Sequence, residues 1–389
     1  MFINLCLRMS PDYGGTYTAQ KLFTKAIDCY FVDLDIPGYS SLSEADYTIK
    51  GSLNPFYAYF KSSSNTFFDF IPSRVKKKTQ GVIIHGLFLA HFSYGIQLSK
   101  QLNVPLYVVP HGASHPYVFS RKGNNFIKLI VKYVFLLSLG SIAFSRAKAI
   151  IFTSESELKS SVIATSASKG KVCPLSVDIP DICRDNYLLN RESIRSSIRK
   201  KLGFSNQDKV LLYFGRITHL KRILETVQAF DKVKPKGWKL LVIGSCDSKE
   251  SGLLNELESI SIKNHDLKLL PPFFGDDKWK YVLSSDLFVL FSHRENFGFT
   301  VVECGVLEIP VYISKDVDIY PSFLSDSLPK MVFDIKSTHD IEDAISLLDN
   351  LTHEDLAVMG KFCKEKILNE FNIVSFRSHL HKALNLYHF

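Results

Sequence analysis

The chain has 389 residues, which exceeds what one hydrophobic core usually supports and predicts two domains. Hydrophobic residues make up 46% and charged residues 22%, a composition that argues against an intrinsically disordered chain. The formal net charge of +8 favours anionic partners such as nucleotide phosphates or acidic lipid headgroups. Zinc-finger spacing and RNA-binding aromatic motifs are both missing, so no nucleic-acid partner is predicted.

The seven cysteines are an odd number and form no CxxC pair. Several lie inside apolar runs, which is typical of small buried side chains in a reducing compartment. The N-terminus shows no basic segment ahead of an apolar one, so no signal peptide is expected. These features together predict a cytoplasmic protein.

The first half of the chain alternates apolar runs with helical patterns. Strands are predicted at 2–7, 30–35, 81–85, 106–109 and 149–153, and helices at 17–26 and 90–102. The loop at 11–16, with Gly14 and Gly15, separates the first strand from the first helix. Alternation of this kind predicts an α/β doubly wound parallel sheet.

The alternation then restarts. Strands are predicted at 209–214, 239–243, 286–291 and 311–314, and helices at 222–230, 253–262 and 299–307. The basic segment 192–202 is predicted to be a helix or a linker. Two successive series predict two Rossmann-like domains, the first over 1–187 and the second over 188–372. The final segment, 373–389, is expected to be a helix that packs back on the first domain.

The most apolar stretch is 126–144. Lys128 and Lys132 interrupt its first half, and the part that follows is expected to be too short to span a bilayer. Two alternatives stay open: an ordinary core helix with a basic outer face, or a helix lying on an anionic membrane through basic residues across 121–148. The basic run 74–78 is expected to be a surface loop and a second membrane contact.

Two carboxylates, Glu295 and Glu303, have seven residues between them. Glu295 follows the predicted strand 286–291, and Glu303 lies near the start of the next helix. Gly298 allows a tight turn, and the backbone N–H groups at this helix N-terminus suit a phosphate. Ligands of open α/β sheets bind in the crevice at the carboxyl ends of the strands. Carboxylates for hydroxyls beside N–H groups for phosphate predict a site for a sugar nucleotide.

A second motif follows the strand 209–214. Gly215 ends that strand, and Arg216 and Lys221 lie five residues apart at the entry to the next helix. A guanidinium gives a bidentate phosphate contact and an ammonium gives a point charge, so the pair can hold a diphosphate as it leaves. The alternative is two solvated charges in a loop.

The two motifs together resemble the retaining glycosyltransferases of the GT-B fold, family 4, the glycosyl transferases group 1. The resemblance is strong over the C-terminal half of the chain and weak over the N-terminal half. It implies two Rossmann-like domains facing each other across a cleft. It also implies transfer of a sugar from a nucleotide-diphosphate donor with retention of configuration, with no metal and no other cofactor.

The resemblance implies roles for individual residues. Arg216 and Lys221 would neutralise the donor diphosphate, Glu303 would bind the ribose hydroxyls, and Glu295 would contact the donor sugar. The remaining donor-binding candidates are backbone-rich positions near the two motifs and in the first loop: Gly15, Gly215, Asn296, Phe297, Gly298 and Phe299.

A histidine at the end of a strand in the first domain faces the donor sugar in this family. His111, which follows the predicted strand 106–109, is the candidate, and His85 is its competitor. Each also fits a purely structural histidine. The catalytic candidates are therefore His111, Arg216, Lys221 and Glu295.

The chain departs from the common family pattern at Glu308, where glycine is usual, and at 316–320. The second departure resembles a bacterial surface-polysaccharide subgroup. Asp33 and Asp35 are spaced like a metal-binding DxD, but they lack the sequence context of the fold that uses one, and no metal site is predicted.

The sequence therefore predicts a retaining glycosyltransferase that moves a sugar from a UDP- or GDP-sugar to a lipid-linked or growing bacterial surface glycan. Lipopolysaccharide O-antigen and capsule are the glycan types expected. The cytoplasmic face of the inner membrane is the expected place of any peripheral contact. Two alternatives stay open, namely a GT-B-fold sugar-nucleotide epimerase and a non-catalytic basic protein that binds lipid or nucleic acid.

Overall fold

The computed structural model describes residues 1–10, 14–36, 43–121, 124–163, 168–177, 181–246, 250–273 and 275–386, with only the backbone described for 181–184. The chain forms two compact units, one of residues 1–176 with 373–389 and the other of residues 177–372. It changes unit at 176/177, earlier than the predicted 187/188. Residues 177–187, which lie between the observed and the predicted boundary, belong to the second unit. One contact with that unit is the hydrogen bond that the Tyr187 hydroxyl donates to Asp276.

The first unit is built on a parallel sheet in the order β3-β2-β1-β4-β5-β6-β7. Its strands are β1 (Phe2–Leu5), β2 (Cys29–Leu34), β3 (Tyr47–Ile49), β4 (Gly81–His85), β5 (Leu106–Val109), β6 (Ala147–Phe152) and β7 (Gly170–Val172). Most of their side chains are buried, as expected for strands covered on both faces. Strand order reverses direction between β1 and β4, and this reversal creates a crevice at their carboxyl ends.

Helices connect these strands. They are α1 (Gly15–Ala26), α2 (Pro55–Lys61), α3 (Ser73–Lys78), α4 (Ala90–Leu102), α5 (Phe126–Phe135), α6 (Ser141–Arg146) and α7 (Glu155–Ser160). The Asn54 side chain caps α2, and Asn103 ends α4 in the left-handed conformation. The prediction of a surface loop at 74–78 is wrong, because these residues form α3 and bury Val75.

The second unit has the same architecture, with a parallel sheet in the order β10-β9-β8-β11-β12-β13. Its strands are β8 (Lys209–Phe214), β9 (Trp238–Ile243), β10 (Leu267–Leu270), β11 (Leu287–Leu290), β12 (Val311–Ser314) and β13 (Val332–Phe333). Its helices are α8 (Asp181–Leu189), α9 (Arg191–Leu202), α10 (Ile223–Val233), α11 (Ser251–Lys263), α12 (Gly275–Leu283), α13 (Phe299–Val306), α14 (Thr338–Ser346) and α15 (His353–Glu370). Here strand order reverses between β8 and β11.

The last helix, α16 (Ile373–Leu384), packs on the first unit. Arg377 donates to the Lys25 carbonyl at 2.8 Å, and the Tyr107 hydroxyl donates to the Leu384 carbonyl at 3.0 Å. The ring of Phe376 packs edge-on against Phe23. These contacts join the end of the chain to α1 and to the first sheet.

A continuous helical stretch covers Phe126–Arg146, through α5, a π-helical segment at Leu136–Gly140, and α6. By length and composition it could cross a membrane, and it is the one such helix in the described part of the chain. The prediction that this segment is too short to span a bilayer is therefore wrong, because the helix has 21 residues. Only 28% of its most apolar window is buried inside the protein, so it is not an ordinary core helix.

Candidate active site

The two sequence motifs of the second unit follow neighbouring strands. β8 and β11 are adjacent, with Leu287 in register with Leu211. The loop 215–222 follows β8, and the loop 292–298 follows β11. Both loops therefore lie at the switch point of this sheet, where open α/β sheets bind ligands.

Close backbone packing shapes the loop after β8. Gly215 has φ +155°, and a Cβ added to Gly244 would lie 2.0 Å from the Gly215 carbonyl oxygen. The buried Tyr213 hydroxyl donates to the Arg216 carbonyl at 2.6 Å. The Arg216 backbone is thus held in place while its side chain is exposed at the crevice.

Lys221 and Glu295 form an ion pair across the two loops. Their side chains are 15% and 20% exposed, so the pair is largely screened from water. Burial lowers the pKa of Lys221 to about 7, and the guanidinium groups of Arg216 and Arg294 add to this shift. The contact with Glu295 opposes it. The structure therefore brings Arg216, Lys221 and Glu295 together, as a cluster with excess positive charge.

A set of contacts that the sequence did not reveal joins the two loops. Arg222 has φ +50° and its side chain is buried. Its guanidinium donates to the Ile335 carbonyl at 2.8 Å and contacts the His293 ring at 2.7 Å. The Ser292 hydroxyl and the His293 N–H both donate to the Leu220 carbonyl, at 3.0 and 2.8 Å. This clamp fixes Lys221 relative to Glu295.

The backbone of Glu295 is fixed on its other side by the segment that departs from the family pattern. The Glu295 N–H donates to the Asp316 carbonyl at 2.8 Å, and the Asp318 N–H donates to the Glu295 carbonyl at 2.8 Å. Gly298 then turns the chain at φ +72°, and a Cβ there would lie 3.3 Å from the Glu295 Cγ. Glycine suits this position because a residue with a Cβ would be strained at this φ and would crowd the Glu295 side chain.

Glu303 is the fifth of the eight residues of α13, and its carboxylate accepts a hydrogen bond from Lys278 at 2.7 Å. Lys278 also lies over the rings of Trp279, at 4.2 Å from the centroid, and Phe214, at 5.4 Å. The sequence pointed to Glu303 but gave no signal for Lys278. A carboxylate held by one ammonium keeps oxygen lone pairs for ligand hydroxyls.

The segment between the two glutamates combines buried side chains with backbone groups that a ligand can reach. Phe297 is buried, with its ring against those of Phe299 and Phe371, so only its backbone is available to a ligand. Asn296 is partly buried. The Val301 N–H makes the first hydrogen bond of α13, to the Gly298 carbonyl at 2.8 Å. The N–H groups of Phe299 and Thr300 precede that bond, and N–H groups at a helix start favour an anion.

The candidates of the first unit lie at the carboxyl ends of its own strands. His111 follows β5, and its Nε2 lies 2.9 Å from the Nδ1 of His85, the last residue of β4. The two histidines, competitors in the sequence, are hydrogen-bonded neighbours here. Gly15 is the first residue of α1, after Gly14 at φ +66°. Part of the preceding loop, 11–13, lies outside the described residues.

A buried carboxylate, Glu157, supports the turn at His111, which has φ +49°. Glu157 accepts hydrogen bonds from the Gly112 N–H at 2.6 Å and from the Thr153 N–H at 2.7 Å. Asp33, the first residue of the DxD-like pair, is also structural. It accepts from the Ser43 and Thr48 hydroxyls, both at 2.6 Å.

The sequence model of the family glycosyl transferases group 1 matches residues 194–365. This range contains both loops of the switch point, with Arg216, Lys221, Glu295 and Glu303. Residues 194–365 are therefore similar to the group 1 glycosyl transferases and are called the group 1 domain below, after the family that they match. The match therefore agrees with the resemblance that the two motifs carry.

Curated relatives match about half of the chain. The capsular polysaccharide biosynthesis glycosyltransferase CapM of Staphylococcus aureus is 31% identical over 184 residues, 46% of this chain and 47% of CapM. The N-acetyl-α-D-glucosaminyl L-malate synthase of Bacillus anthracis is 26% identical over 190 residues, 46% of this chain and 48% of that protein. The chain spans about half the length of the curated relatives it matches.

A solved structure extends the likeness to the rest of the chain. HepE of Anabaena, determined in complex with UDP, is 15% identical, with a TM-score of 0.74 over 99% of this chain and 100% of that chain. At this identity the likeness shows the fold alone. The chain therefore has the GT-B fold, and the group 1 domain is its second Rossmann-like unit.

Proposed function

We propose that this protein is a retaining glycosyltransferase that moves a sugar from a UDP- or GDP-sugar to a hydroxyl of a bacterial surface glycan. The acceptor in this proposal is a lipid-linked or growing glycan of the lipopolysaccharide O-antigen or capsule type. The observation that carries the proposal is the cluster of Arg216, Lys221 and Glu295 at the switch point of the group 1 domain, with Glu303 on the following helix.

The chemistry of this cluster supports a nucleotide-diphosphate donor. An exposed guanidinium and a largely buried ammonium provide two positive charges for the diphosphate. Glu303 provides lone pairs for the ribose hydroxyls. HepE was solved with UDP and also with UDP-glucose, which supports a nucleotide sugar as the donor here.

In the proposed mechanism the diphosphate takes the place of Glu295 beside Lys221. This releases the Glu295 carboxylate toward the donor sugar, while Arg216 and Lys221 stabilise the charge that builds up on the leaving diphosphate. An acceptor hydroxyl attacks from the face that the diphosphate leaves, so the leaving phosphate oxygen takes the hydroxyl proton. Configuration is retained, no separate base is needed, and the two cations neutralise the diphosphate without a metal.

The helical stretch 126–146 supports an acceptor at a membrane. Seven large apolar side chains on it are exposed: Phe126, Ile127, Ile130, Val131, Tyr133, Val134 and Leu137. The other face is packed, since Phe135 lies against Phe88 and Phe92, at 5.1 and 4.9 Å between ring centroids. A helix with one face fixed to the domain lies on a bilayer rather than across it.

Charge favours an anionic bilayer as the surface that covers this helix. Lys128 and Arg146 are exposed on it, Arg121 precedes it, and the exposed Lys148 follows it on β6. Lys132 is engaged internally, because its ammonium donates to the Val118 carbonyl at 2.9 Å. We propose peripheral binding at the cytoplasmic face of the membrane, where the glycan acceptor is carried.

Vesicle flotation tests the membrane contact. The protein should float with vesicles of phosphatidylglycerol and phosphatidylcholine but not with phosphatidylcholine alone. Ile127→Ser with Val131→Ser should abolish flotation without changing the melting temperature, whereas Leu189→Ser, exposed on α8 of the second unit, serves as the control. Flotation of the double variant at the wild-type level would contradict the contact.

Product analysis tests the transfer. With a UDP- or GDP-sugar and membranes carrying the lipid-linked acceptor, nucleotide release should depend on the acceptor, and the anomeric coupling constant should match that of the donor. Conversion of the donor without acceptor would indicate the epimerase. Salt-sensitive polyanion binding without any nucleotide turnover would indicate the non-catalytic protein.

A further inference from the structure

A cavity of about 370 Å³ lies at the amino ends of β11 and β12 in the second unit. Its wall includes Asp286, which directly precedes β11, and Pro310, which directly precedes β12. Arg191 and Arg195 on α9 and Lys361 on α15 form two of its sides. The candidate donor loops lie at the carboxyl ends of the strands, so the cavity is a separate feature of the same unit.

The Arg191 side chain lines this cavity and is only 22% exposed. Its one ion pair within the described residues is with Glu308, at 3.8 Å, which is beyond hydrogen-bond distance. No side-chain hydrogen bond of Arg191 occurs in that part of the chain. Burial lowers the pKa of Arg191 below its ordinary value, and Arg195 lowers it further, but a guanidinium stays charged. Its N–H donors are therefore largely withdrawn from water without an acceptor, and an oxyanion in the cavity would provide one.

Arg199, two turns further along α9, shows how the same helix holds a structural arginine. Its side chain is 0% exposed and forms an ion pair with Asp286 at 2.5 Å. The guanidinium also donates to three backbone carbonyls, at 2.6 to 3.3 Å, namely those of Ser284, Asn206 and Asp208. Arg191, Arg195 and Arg199 are spaced by four residues and share one face of α9. The contrast shows that Arg191 lacks the partners of an arginine that serves the packing of α9.

The Asp286 carboxylate is already occupied by other donors. It accepts a hydrogen bond from the Val210 N–H at 2.6 Å and pairs with both Arg195 and Arg199 at 2.5 Å. Two guanidinium groups thus share one carboxylate. The face of α9 toward the cavity therefore keeps an excess of positive charge.

Glu308, the residue that replaces the usual glycine of the family, forms another part of the wall. Its backbone has φ +60°, a conformation that L side chains rarely adopt. A Cβ added to Gly360 on α15 would lie 2.2 Å from the Glu308 carbonyl oxygen, so the helix packs directly on this turn. The Glu308 carboxylate accepts a hydrogen bond from Lys364 at 2.8 Å. It is therefore bonded to Lys364 rather than to Arg191.

Other groups in the wall also favour an anion. Lys361 is exposed at the cavity, and His353 and Leu356 belong to the first turn of α15, where a helix has partial positive charge. The remaining carboxylate of the wall, Glu192, is exposed to water. A guanidinium binds phosphate through two parallel N–H···O bonds, and several cations together favour a doubly charged phosphate over a singly charged carboxylate.

We propose that this cavity binds the phosphate group of a small phosphate monoester through Arg191, with Arg195 and Lys361 beside it. The cavity is at the lower end of the range of small-molecule pockets, about 300–1,000 Å³, which suits a ligand of the size of a sugar phosphate. The site lies within the second unit and is independent of the proposed glycosyl transfer.

Isothermal titration calorimetry at neutral pH measures this binding, with glucose 6-phosphate, inorganic phosphate and glucose as probes. Glucose 6-phosphate should bind wild type more tightly than inorganic phosphate does, and glucose should not bind. Arg191→Ala should raise the Kd for glucose 6-phosphate at least about tenfold, because hydrogen bonds to a charged group are lost. Binding of inorganic phosphate alone, binding of none of the three probes, or a wild-type Kd in Arg191→Ala would overturn the proposal.

Arg216→Ala separates this cavity from the candidate donor site. It removes a cation of the charged switch point and should leave the Kd for glucose 6-phosphate at the wild-type value. Loss of binding in Arg216→Ala, with wild-type binding in Arg191→Ala, would place the phosphate in the donor site and overturn the proposal. Failure of UDP to bind would count against the proposed function and would leave this measurement unaffected.

The melting temperature in phosphate-free buffer provides a second test, which needs no ligand. Arg191→Met removes a guanidinium that lacks an acceptor, so the variant should melt at or above the wild-type temperature. Arg199→Met, on the same helix, is the matched control and should melt at a lower temperature, since its carbonyl and carboxylate partners lose their donor. An equal loss in both variants would make Arg191 structural and overturn the proposal.

Discussion

The two switch points of the molecule have the same topology and opposite chemistry. Between β8 and β11, the loops carry Arg216, Lys221 and Glu295, all ionisable and at least partly exposed. Between β1 and β4, and after the adjacent β5, the polar groups are Asn4, His85 and His111, and burial lowers the pKa of both histidines. Parallel-sheet topology determines where a crevice forms, and the residues at the strand ends determine what it binds.

The two crevices also differ in the backbone turns that shape them. Gly298 turns at φ +72° without a steric penalty, whereas His111 at φ +49° carries a cost of about 1–2 kcal/mol for a left-handed L-residue. Two hydrogen bonds to Glu157 support the second turn. Glycine therefore shapes the turn in one crevice, and hydrogen bonds to a buried carboxylate support the turn in the other.

Removing the exposed guanidinium should have the largest effect. Arg216→Ala should lower kcat by about 100- to 1,000-fold, as expected when one group that stabilises transition-state charge is lost. The fold should be unchanged, since the side chain is exposed and the loop is held by backbone contacts. Steady-state kinetics and circular dichroism check this, with Lys263→Ala on α11 as a control. Wild-type kcat in a folded Arg216→Ala protein would remove Arg216 from the mechanism.

Replacing the neighbouring Arg222 should lower the stability of the fold, whereas replacing Arg216 should lower turnover. Arg222→Ala leaves the Ile335 carbonyl and His293 without their partner and should lower the free energy of unfolding by about 1–3 kcal/mol. Urea denaturation measures this, and Arg216→Ala is the matched control, with an expected change within about 0.5 kcal/mol. Equal destabilisation by both variants would contradict the account in which Arg222 holds the two loops together and Arg216 contacts the ligand.

The third effect is on the pH dependence of binding. Below its pKa of about 7 Lys221 is charged and attracts the diphosphate, and above that pH it is neutral. The Kd for UDP should therefore rise from pH 7 to 9 by up to about tenfold per unit, a range above the phosphate pKa of about 6.

Lys221→Arg is the control for that titration because a guanidinium stays charged over this range. Its Kd for UDP should stay constant from pH 7 to 9. A parallel rise in the Kd of both proteins would place the titrating group elsewhere.

The glutamate pair and the Gly215 motif were predictable because strand ends and glycines give local signals that a single sequence carries. The strands β4, β5, β8 and β12 were predicted with the bounds that the structure has, since each is an apolar run bounded by polar or turn residues. The β13 strand has two residues and gives no such pattern. The basic run at 74–78 was mistaken for a loop because Val75 alone marks its buried face.

Contacts between distant residues could not be predicted. Lys278 meets Glu303 because α12 and α13 lie side by side, and no sequence spacing shows this. His85 and His111 were competitors in the sequence, yet they are partners because β4 and β5 pair in register.

The most direct test of the central claim is a thermal-shift panel with UDP, GDP, ADP and CMP on wild type and Glu303→Ala. A nucleotide diphosphate that binds the native group 1 domain raises the melting temperature by mass action. We predict stabilisation of wild type by UDP or GDP, little by CMP, and a smaller shift in Glu303→Ala. Absence of any shift in folded wild-type protein at millimolar nucleotide would contradict a donor site at the charged switch point.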